Sequence, residues 1–383
     1  MTTFSDPVAL TQALIRCPSV TPDDHGALGI VEEALTALGF ACERLSFGEG
    51  DGPPVENLYA RIGEGTPHLA FAGHTDVVPP GDPAAWRVDP FAGEALDGMI
   101  YGRGAVDMKG AIAAFVAASA RFLAEHRPAG SISLLLTGDE EGPAINGTRK
   151  MLGWLKEQGI RLDACVVGEP TNPSRLGEMI KIGRRGSLTG WLTVPGVQGH
   201  AAYPERADNP IPRLLAMLGA LSAEPLDGGS AYFQPSELVI TSVDVGNPAS
   251  NVIPAEARAT FNVRFNDRFS ASALETLLRK RLDATAGRYD LQTEVTGEAF
   301  VTEPGPFSEL LESLIERELG VTPELSTSGG TSDARFIKEV CPVVEFGLVG
   351  ATIHQIDERV AVADLEALTR VYRALLAAYV RPA

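Results

Sequence analysis

The chain has few cysteines, no long apolar run and no excess of positive charge, and each lack excludes a class of protein. Its four cysteines are scattered without the CxxC spacing of structural zinc or redox motifs, which predicts free thiols in a reducing compartment. The longest apolar stretch, residues 111–120, is far shorter than the roughly 20 residues that span a bilayer. Residues 1–6 lack the basic and apolar regions of a signal peptide. These features favour a cytoplasmic protein with no membrane partner.

Acidic residues dominate the charge. Asp and Glu number 50 against 32 Lys and Arg, which gives a formal net charge of −18 at pH 7. Such a surface repels the phosphate backbone, so we expect no nucleic-acid partner. Carboxylates in excess can be neutralised where they surround metal ions. An anionic substrate would need local Arg or Lys to offset the general field.

Four apolar runs lead into side chains that bind metals. Short β-branched runs of this kind are typical of buried parallel strands. Ligands of an open α/β sheet bind beyond the carboxyl ends of its strands, so residues that follow these runs should meet at one edge. Imidazoles and carboxylates gathered there favour a zinc-type site. The runs are 68–73 before His74 and Asp76, 131–138 before Asp139-Glu140-Glu141, 164–168 before Glu169, and 343–350 before His354.

The rhythm of predicted elements changes after residue 181. Up to that point strands alternate with helices, which predicts an α/β fold with a mostly parallel sheet and helices on both faces. The next segment reads as strand, helix, two strands, helix and strand, a βαββαβ order. We therefore predict a discontinuous catalytic domain, 1–184 and 299–383, and an inserted two-layer α+β domain, 185–298. Residues 48–54 are predicted to form a loop.

Three residues of the first motifs have competing interpretations. His74 could bind a metal while Asp76 fixes its tautomer, or both could lie in a surface turn. Asp107 follows a glycine-dense run, Gly102-Arg-Gly-Ala-Val. It could cap the following helix. Alternatively, its two oxygens could bridge two metal ions of the kind that lie roughly 3.5–4 Å apart.

The later candidates are equally open on local grounds. Glu140 and Glu141 could simply belong to a solvated acidic turn. Alternatively, one of them could bind a metal while its neighbour acts as a general base. Glu169 ends either a simple strand or a metal-binding strand. His354 is either structural or a ligand. His200 is either a satisfied loop histidine or a donor to a developing oxyanion.

Short motifs taken together say more than single residues. They are His74-Thr-Asp-Val-Val-Pro, Gly102-Arg-Gly-Ala-Val-Asp-Met-Lys-Gly, Asp139-Glu-Glu-Gly-Pro-Ala-Ile-Asn-Gly-Thr, Gly168-Glu-Pro-Thr, Gly183-Arg-Arg-Gly-Ser and Gly329-Gly-Thr-Ser-Asp-Ala. This set resembles the M20 metallopeptidase family over nearly the whole chain. Runs 140–148 and 183–187 most resemble the branch that cleaves N-succinyl-LL-2,6-diaminopimelate.

The resemblance implies a di-zinc amidohydrolase with two zinc ions per subunit, which cobalt or manganese can replace. One zinc would be held by His74, Asp107 and Glu169, and the other by Asp107, Glu141 and His354. Glu140 would be the general base, Asp76 the partner of His74, and His200 a residue that reaches the active site of the other subunit. The inserted domain would then serve as lid and dimerisation domain of a homodimer.

The same resemblance implies a substrate and a pathway. The substrate would be an N-acyl amino acid, cleaved to succinate and LL-2,6-diaminopimelate in lysine and diaminopimelate biosynthesis. The implied substrate-binding residues are Arg184, Ser187, Tyr203, Asn251, Arg264 and Gly330. Ser250 stands where some relatives have a second Asn, which affects one substrate hydrogen bond. The alternatives are an acetylornithine deacetylase or an aminoacylase-like hydrolase; a non-catalytic homologue would be expected to lack Glu140 or a ligand.

Overall fold

Local sequence signals set where the elements begin and end. Asp6 caps the first helix, since its side chain accepts hydrogen bonds from the amides of Val8 and Ala9, and Pro7 occupies the first helical position. The helices are α1 (Pro7–Ile15), α2 (Ala27–Ala37), α3 (Gly110–Glu125), α4 (Thr148–Glu157), α5 (Pro210–Ser222), α6 (Ala271–Asp283), α7 (Pro306–Leu319), α8 (Ala334–Ile337) and α9 (Val362–Tyr379).

The strands follow the predicted alternation. They are β1 (Ala41–Phe47), β2 (Val55–Gly63), β3 (His68–His74), β4 (Glu94–Leu96), β5 (Met99–Tyr101), β6 (Ser131–Thr137), β7 (Ala164–Val167), β8 (Met179–Lys181), β9 (Gly183–Arg184), β10 (Gly186–Pro195), β11 (Gly199–His200), β12 (Glu237–Asp244), β13 (Val252–Ile253), β14 (Glu256–Phe265), β15 (Asp290–Gly297), β16 (Phe300–Val301), β17 (Glu324–Ser326), β18 (Val343–Glu345) and β19 (Arg359–Ala361).

The computed structural model describes residues 3–48 and 54–381, and the chain divides into two units. The first unit runs up to Ile182 and includes Thr302–Ser326 and the residues from Ser332 onward, whereas the second comprises Gly183–Val301 and Thr327–Thr331. The second unit thus includes a short segment beyond the single contiguous insert that the sequence predicts. The loop predicted at 48–54 lies largely outside the described residues.

The central sheet of the first unit has the strand order β1-β2-β6-β3-β7-β18-β8-β17. Strands β6, β3, β7 and β18 are parallel neighbours, and each was predicted from an apolar run. Strands β1 and β2 pair antiparallel, as do β2 and β6. The predicted α/β class is therefore confirmed. The sequence did not indicate β1, because Leu45 alone among its residues is buried.

Helix α3 forms the middle of the first unit's core. Its alanine-rich stretch is buried on all sides, and it packs against α9 and α1. Phe115 stacks on Phe71 of β3 with ring centroids 4.4 Å apart, and Tyr372 meets both rings edge-on. Each buried aromatic side chain stabilises the fold by about 2–3 kcal/mol. This packing fixes β3, and with it the end of the strand at His74.

The second unit is an antiparallel sheet with two helices on one face. The strand order is β12-β14-β10-β15, and α5 and α6 cover the face formed by residues such as Leu192, Phe261 and Val263. Alternation along β14 places Asn262 and Arg264 on the other face. The βαββαβ prediction is therefore confirmed.

Two sequence expectations concern absences. Within residues 3–48 and 54–381, no helix combines the length and apolar character needed to cross a membrane. All four cysteines lie in this described part of the chain and are free thiols, three of them buried.

His68 is a core histidine to which the sequence assigns no role. It is 2% exposed at the start of β3. Its Nδ1–H donates to the main-chain carbonyl of Arg161 (2.7 Å), and its Nε2 accepts from the Ser133 hydroxyl (3.0 Å). Burial, together with the charge of Arg61, lowers the pKa of His68 to about 4. The folded protein therefore holds this ring neutral.

Because His68 is buried in its neutral form, the free energy of unfolding should fall as the pH is lowered. Well above pH 6.5, His68 is neutral in both the folded and the unfolded state. As the pH falls from about 6.5 to about 4, the unfolded chain binds a proton at His68, whereas the folded chain keeps the ring neutral. We expect His68 to remove about 3 kcal/mol of unfolding free energy across this window. Urea unfolding of the native chain and of His68→Gln, which retains a donor and an acceptor, measures the difference. Parallel pH profiles would refute this assignment.

Candidate metal centre

Neighbouring parallel strands deliver the candidate ligands to one edge of the sheet. His74 ends β3, Glu140 and Glu141 follow β6, Glu169 follows β7, and His354 lies in the loop after β18. Because these strands are adjacent and parallel, the side chains that follow them lie at the same edge. His354 adopts a left-handed backbone conformation (φ 58°), which is uncommon outside glycine.

Asp107 lies between the two histidines. Its Oδ1 is 3.2 Å from His74 Nε2, and its Oδ2 is 3.1 Å from His354 Nε2. It sits in a tight turn, Ala105–Lys109, and does not cap α3, whose N-cap residue is Lys109. The helix-cap interpretation of Asp107 is therefore wrong, and each of its oxygens faces a different imidazole.

The five predicted ligands come together in two sets. In one, His74 Nε2 is 3.2 Å from Asp107 and 3.7 Å from Glu169; in the other, His354 Nε2 is 3.1 Å from Asp107 and 2.9 Å from Glu141. The ligand atoms of each set lie within 4.8 Å of one another. Nitrogen and carboxylate donors in such groups suit zinc-type ions. The residues present thus fit two neighbouring metal positions that share one carboxylate.

The electrostatics of the cluster call for positive charge. The hydrogen bonds that His354 donates to Asp107 and Glu141 raise its pKa to about 10. Burial opposes charge on His74, but the hydrogen bond and charge of Asp107 raise its pKa well above the ordinary range. Burial and repulsion from Glu169 also raise the pKa of Glu140. Crowded carboxylates thus favour protons on the two imidazoles and on Glu140, and cations would relieve the same repulsion.

The tautomer of His74 follows from its hydrogen bonds. Its Nδ1 lies 2.9 Å from the main-chain carbonyl of Asp76, an acceptor, so Nδ1 carries the proton. In the neutral ring, which is the form that binds a metal, the lone pair of Nε2 is directed towards Asp107 and Glu169. The carboxylate of Asp76 lies further from the ring, at 3.7 Å from Nδ1. The backbone of Asp76 rather than its side chain makes the closer contact with the imidazole.

The carboxylate of Asp76 instead holds the turn after β6. It accepts hydrogen bonds from the amides of Glu140 (3.3 Å) and Glu141 (3.0 Å), and from the Thr21 hydroxyl (2.7 Å). Asp139 is also buried and accepts from two amides further along the turn. Glu140 and Glu141 are therefore presented by a turn whose backbone is anchored on buried carboxylates.

The predicted substrate-binding residues lie in the second unit. Arg184 and Ser187 are buried, and Ser187 pairs in register with Arg264 on the next strand. Gly329 lies against the Arg184 guanidinium, where a Cβ would approach Nη1 to 2.6 Å, and Gly330 beside it is exposed with open space around it. Basic side chains, a hydroxyl and an open glycine are thus gathered in one part of this unit.

A second group in the same unit surrounds His200. His200 and Asn251 lie on or beside the short β11–β13 pair, and the ring of Tyr203 meets that of His200 edge-on at 5.7 Å. The Ala202 amide donates to His200 Nδ1 (3.0 Å), which leaves Nε2–H as the free donor of the neutral ring. All three side chains are exposed, as is Ser250.

Sequence reasoning missed Arg185, whose charge acts on the same face. Burial and the neighbouring Arg185 lower the pKa of Arg264. The Arg185 Nε is buried and has no hydrogen-bond partner among the described residues. The neighbouring guanidinium groups of Arg185 and Arg264, in so acidic a chain, form a candidate anion-binding group. The Arg-Arg pair in its motif was the available signal.

Sequence reasoning also missed a buried ion pair behind the metal sets. Arg103 and Glu358 are joined at 2.7 Å and are almost fully buried. Glu358 follows His354 in the same loop, but nothing in the local pattern separates it from an ordinary surface acid.

The fold and the site together define a metallohydrolase-type protein with a candidate dinuclear centre at the edge of an α/β sheet. The profile of Peptidase family M20/M25/M40 matches residues 70–378. The chain belongs to this family of hydrolases.

Individual proteins agree with this assignment. A succinyl-diaminopimelate desuccinylase from Rhodospirillum centenum is 60% identical over 372 residues, covering 97% of this chain and 96% of that protein. One from Methylobacterium nodulans is 62% identical over 379 residues, with 97% and 96% covered. A tripeptidase structure from Staphylococcus aureus covers 100% of both chains with a TM-score of 0.79 at 19% identity, which shows a shared fold.

The anchoring role of Asp76 can be tested by Asp76→Asn. The amide offers one acceptor oxygen to three donors, so the turn that carries Glu140 and Glu141 loses part of its support. We expect the rate of amide hydrolysis by metal-loaded enzyme to fall roughly 10- to 100-fold. Thr21→Val, which removes one donor and keeps the carboxylate, is the matched control and should have the smaller effect. A native rate in Asp76→Asn would contradict the anchoring role.

Proposed function

We propose that this chain hydrolyses N-succinyl-LL-2,6-diaminopimelate to succinate and LL-2,6-diaminopimelate, a step of lysine and diaminopimelate biosynthesis in the cytoplasm. The observation that carries the chemistry is Asp107, with one oxygen in each candidate metal set and Glu140 beside them. The relatives at about 60% identity are named for this activity, and their similarity to this chain extends over nearly their whole length. They favour the succinyl substrate over N-acetylornithine or the substrates of an aminoacylase.

The proposed cofactors are two zinc ions per subunit, for which cobalt or manganese can substitute. His74, Asp107 and Glu169 would hold one ion, and Asp107, Glu141 and His354 the other. When bound, such ions polarise the amide carbonyl and lower the pKa of water, which makes a nucleophile available at neutral pH.

Glu140 is the proposed general base. It follows β6 directly and belongs, with His74 and Glu141, to a third close group of donors, yet neither of the two ligand sets needs it. Its carboxylate would take the proton of the attacking water and return it to the leaving amine nitrogen. Its turn is anchored through Asp76, which accepts hydrogen bonds from the amides of Glu140 and Glu141.

The basic face of the second unit is proposed to bind substrate carboxylates. The substrate carries three of them, and guanidinium groups bind carboxylates through two parallel hydrogen bonds. Arg184, Arg264 and Arg185 supply positive charge there, and Ser187 and the Gly330 segment supply hydrogen-bonding groups.

The group around His200 is proposed to complete substrate binding. Tyr203 and Asn251 would add contacts, and the free Nε2–H of His200 would donate to the oxyanion that forms during hydrolysis.

We propose that the chain acts as a homodimer through its second unit, with His200 serving the partner's active site. Strand β12 is at the edge of the sheet and is exposed along almost its whole length. Val239, Ile240 and Val243 stand exposed on it by 48%, 37% and 52%. An exposed apolar edge strand is a template for pairing with another chain.

The function is tested by assaying hydrolysis of N-succinyl-LL-2,6-diaminopimelate beside N-acetylornithine, with metal-stripped and zinc-restored enzyme. We expect no turnover without metal, turnover of the succinyl compound after zinc is restored, and little of the acetyl compound. Selective cleavage of the acetyl compound would overturn the substrate assignment, and metal-independent cleavage would overturn the site.

Glu140→Gln is the matched control for this assay. Because Glu140 lies outside the two ligand sets, the variant is expected to bind zinc as the native enzyme does. Turnover should be lost, since an amide cannot accept the proton of water. Full turnover at full zinc occupancy would defeat the assignment of Glu140 as base.

The dimer is tested by Val239→Lys/Val243→Lys, which places charge on the edge strand. Sedimentation equilibrium should give twice the 40.5 kDa chain mass for the native protein and the single-chain mass for the variant. The variant should also lose turnover, because His200 would no longer reach the partner. Val340→Lys, at a similarly exposed site (46%) in the first unit, is the control. A variant that remains dimeric would place the interface elsewhere.

A further inference from the structure

Glu358 is a fully buried carboxylate that holds the turn of Asp107 from behind. Its Oε1 accepts hydrogen bonds from the amides of Val106 (2.9 Å) and Asp107 (3.3 Å). Its Oε2 accepts from the amide of Gly104 (3.1 Å) and from Arg103 Nη1 (2.7 Å). Both oxygens are thus engaged by donors of one short segment. The turn that presents Asp107 is folded around this carboxylate.

Arg103 extends the same network to the second histidine. Its Nη2 lies 3.4 Å from the main-chain carbonyls of His354 and Pro79, and its guanidinium stacks over Trp86 at 5.3 Å. The amide of Gly102 donates to the carbonyl of Glu358 (2.9 Å). One ion pair therefore joins the loop that carries His354 to the turn that carries Asp107.

A buried ion pair is weak evidence for stability, because removing two charges from water costs about as much as their attraction returns. Its geometric effect is firmer. Four donors converge on one rigid carboxylate, so the separation between Asp107 and His354 is set by groups that touch neither side chain. Partners of this kind orient metal ligands without binding the metal.

We propose that Glu358, acting through Arg103 and the 104–107 amides, is a positioning residue for the metal position shared by Asp107, Glu141 and His354. This inference rests on the proposed function, since it requires that the two sets bind metal.

The geometry makes the effect unequal between the two positions. Asp107 and His354 both belong to the set with Glu141, and both are tied to Glu358. In the other set, His74 and Glu169 are fixed by β3 and β7, which pair with each other in the middle of the sheet. Loss of Glu358 therefore disturbs two ligands of one position and one ligand of the other.

The experiment is a zinc titration of the metal-stripped chain against a chromophoric chelator. The native chain is expected to bind two zinc ions. Glu358→Gln keeps the size of the side chain but turns an NH2 group towards donors. We therefore expect one binding step to weaken roughly 10- to 100-fold and the other, which shares only Asp107, to weaken clearly less. Arg103→Lys, which keeps the charge and loses the forked contact, should weaken the same step less.

Glu366→Gln is the control, because it breaks another Arg–Glu pair, Arg121–Glu366, whose side chains lie outside both ligand sets. It should bind two zinc ions as the native chain does. Native affinities at both steps in Glu358→Gln and Arg103→Lys would overturn the inference, as would equal weakening of both steps with a lower unfolding temperature of the stripped protein. Fewer than two zinc ions bound by the native chain would overturn the proposed function itself. If Glu358→Gln does not fold, Arg103→Lys decides.

Discussion

Carboxylates that crowd together away from water repel one another, and the first unit is organised around that constraint. Four carboxylates lie close together there, and the nearest groups that can carry positive charge are the imidazoles of His74 and His354. The carboxylates are those of Asp107, Glu140, Glu141 and Glu169. Asp107 is the centre of the arrangement, because each of its oxygens faces a different histidine. Two cations on either side of Asp107 would satisfy the cluster more fully than protons can.

The rest of the site follows from the need to hold these charges in place. Parallel strands bring the ligands to one edge, and buried carboxylates anchor the irregular turns through main-chain amides. Asp76 anchors the turn of Glu140, and Glu358 anchors that of Asp107. In both cases a carboxylate outside the two ligand sets fixes the backbone of a residue that is proposed to bind metal or to act as the general base. The second unit carries a basic face of its own, which is proposed to bind the carboxylates of an anionic substrate.

Much of this could be predicted from the sequence, because buried parallel strands read as continuous apolar runs and their ends mark the site. The alternation of apolar and polar residues along β14 is likewise a local signal of a strand with one buried face. Other features leave no local pattern. Strand β1 buries only Leu45, and the Arg103–Glu358 pair joins residues 255 positions apart. The Asp76 carboxylate accepts hydrogen bonds from backbone amides and lies further from the His74 imidazole. This choice of partner depends on tertiary geometry that the spacing of residues does not encode.

The most direct test of the proposed dinuclear centre is anomalous X-ray scattering at the zinc edge from crystals of the zinc-loaded protein. We expect two peaks, one among His74, Asp107 and Glu169, and one among Asp107, Glu141 and His354, with Asp107 contacting both. A single peak, or peaks that leave Asp107 without a metal, would contradict it.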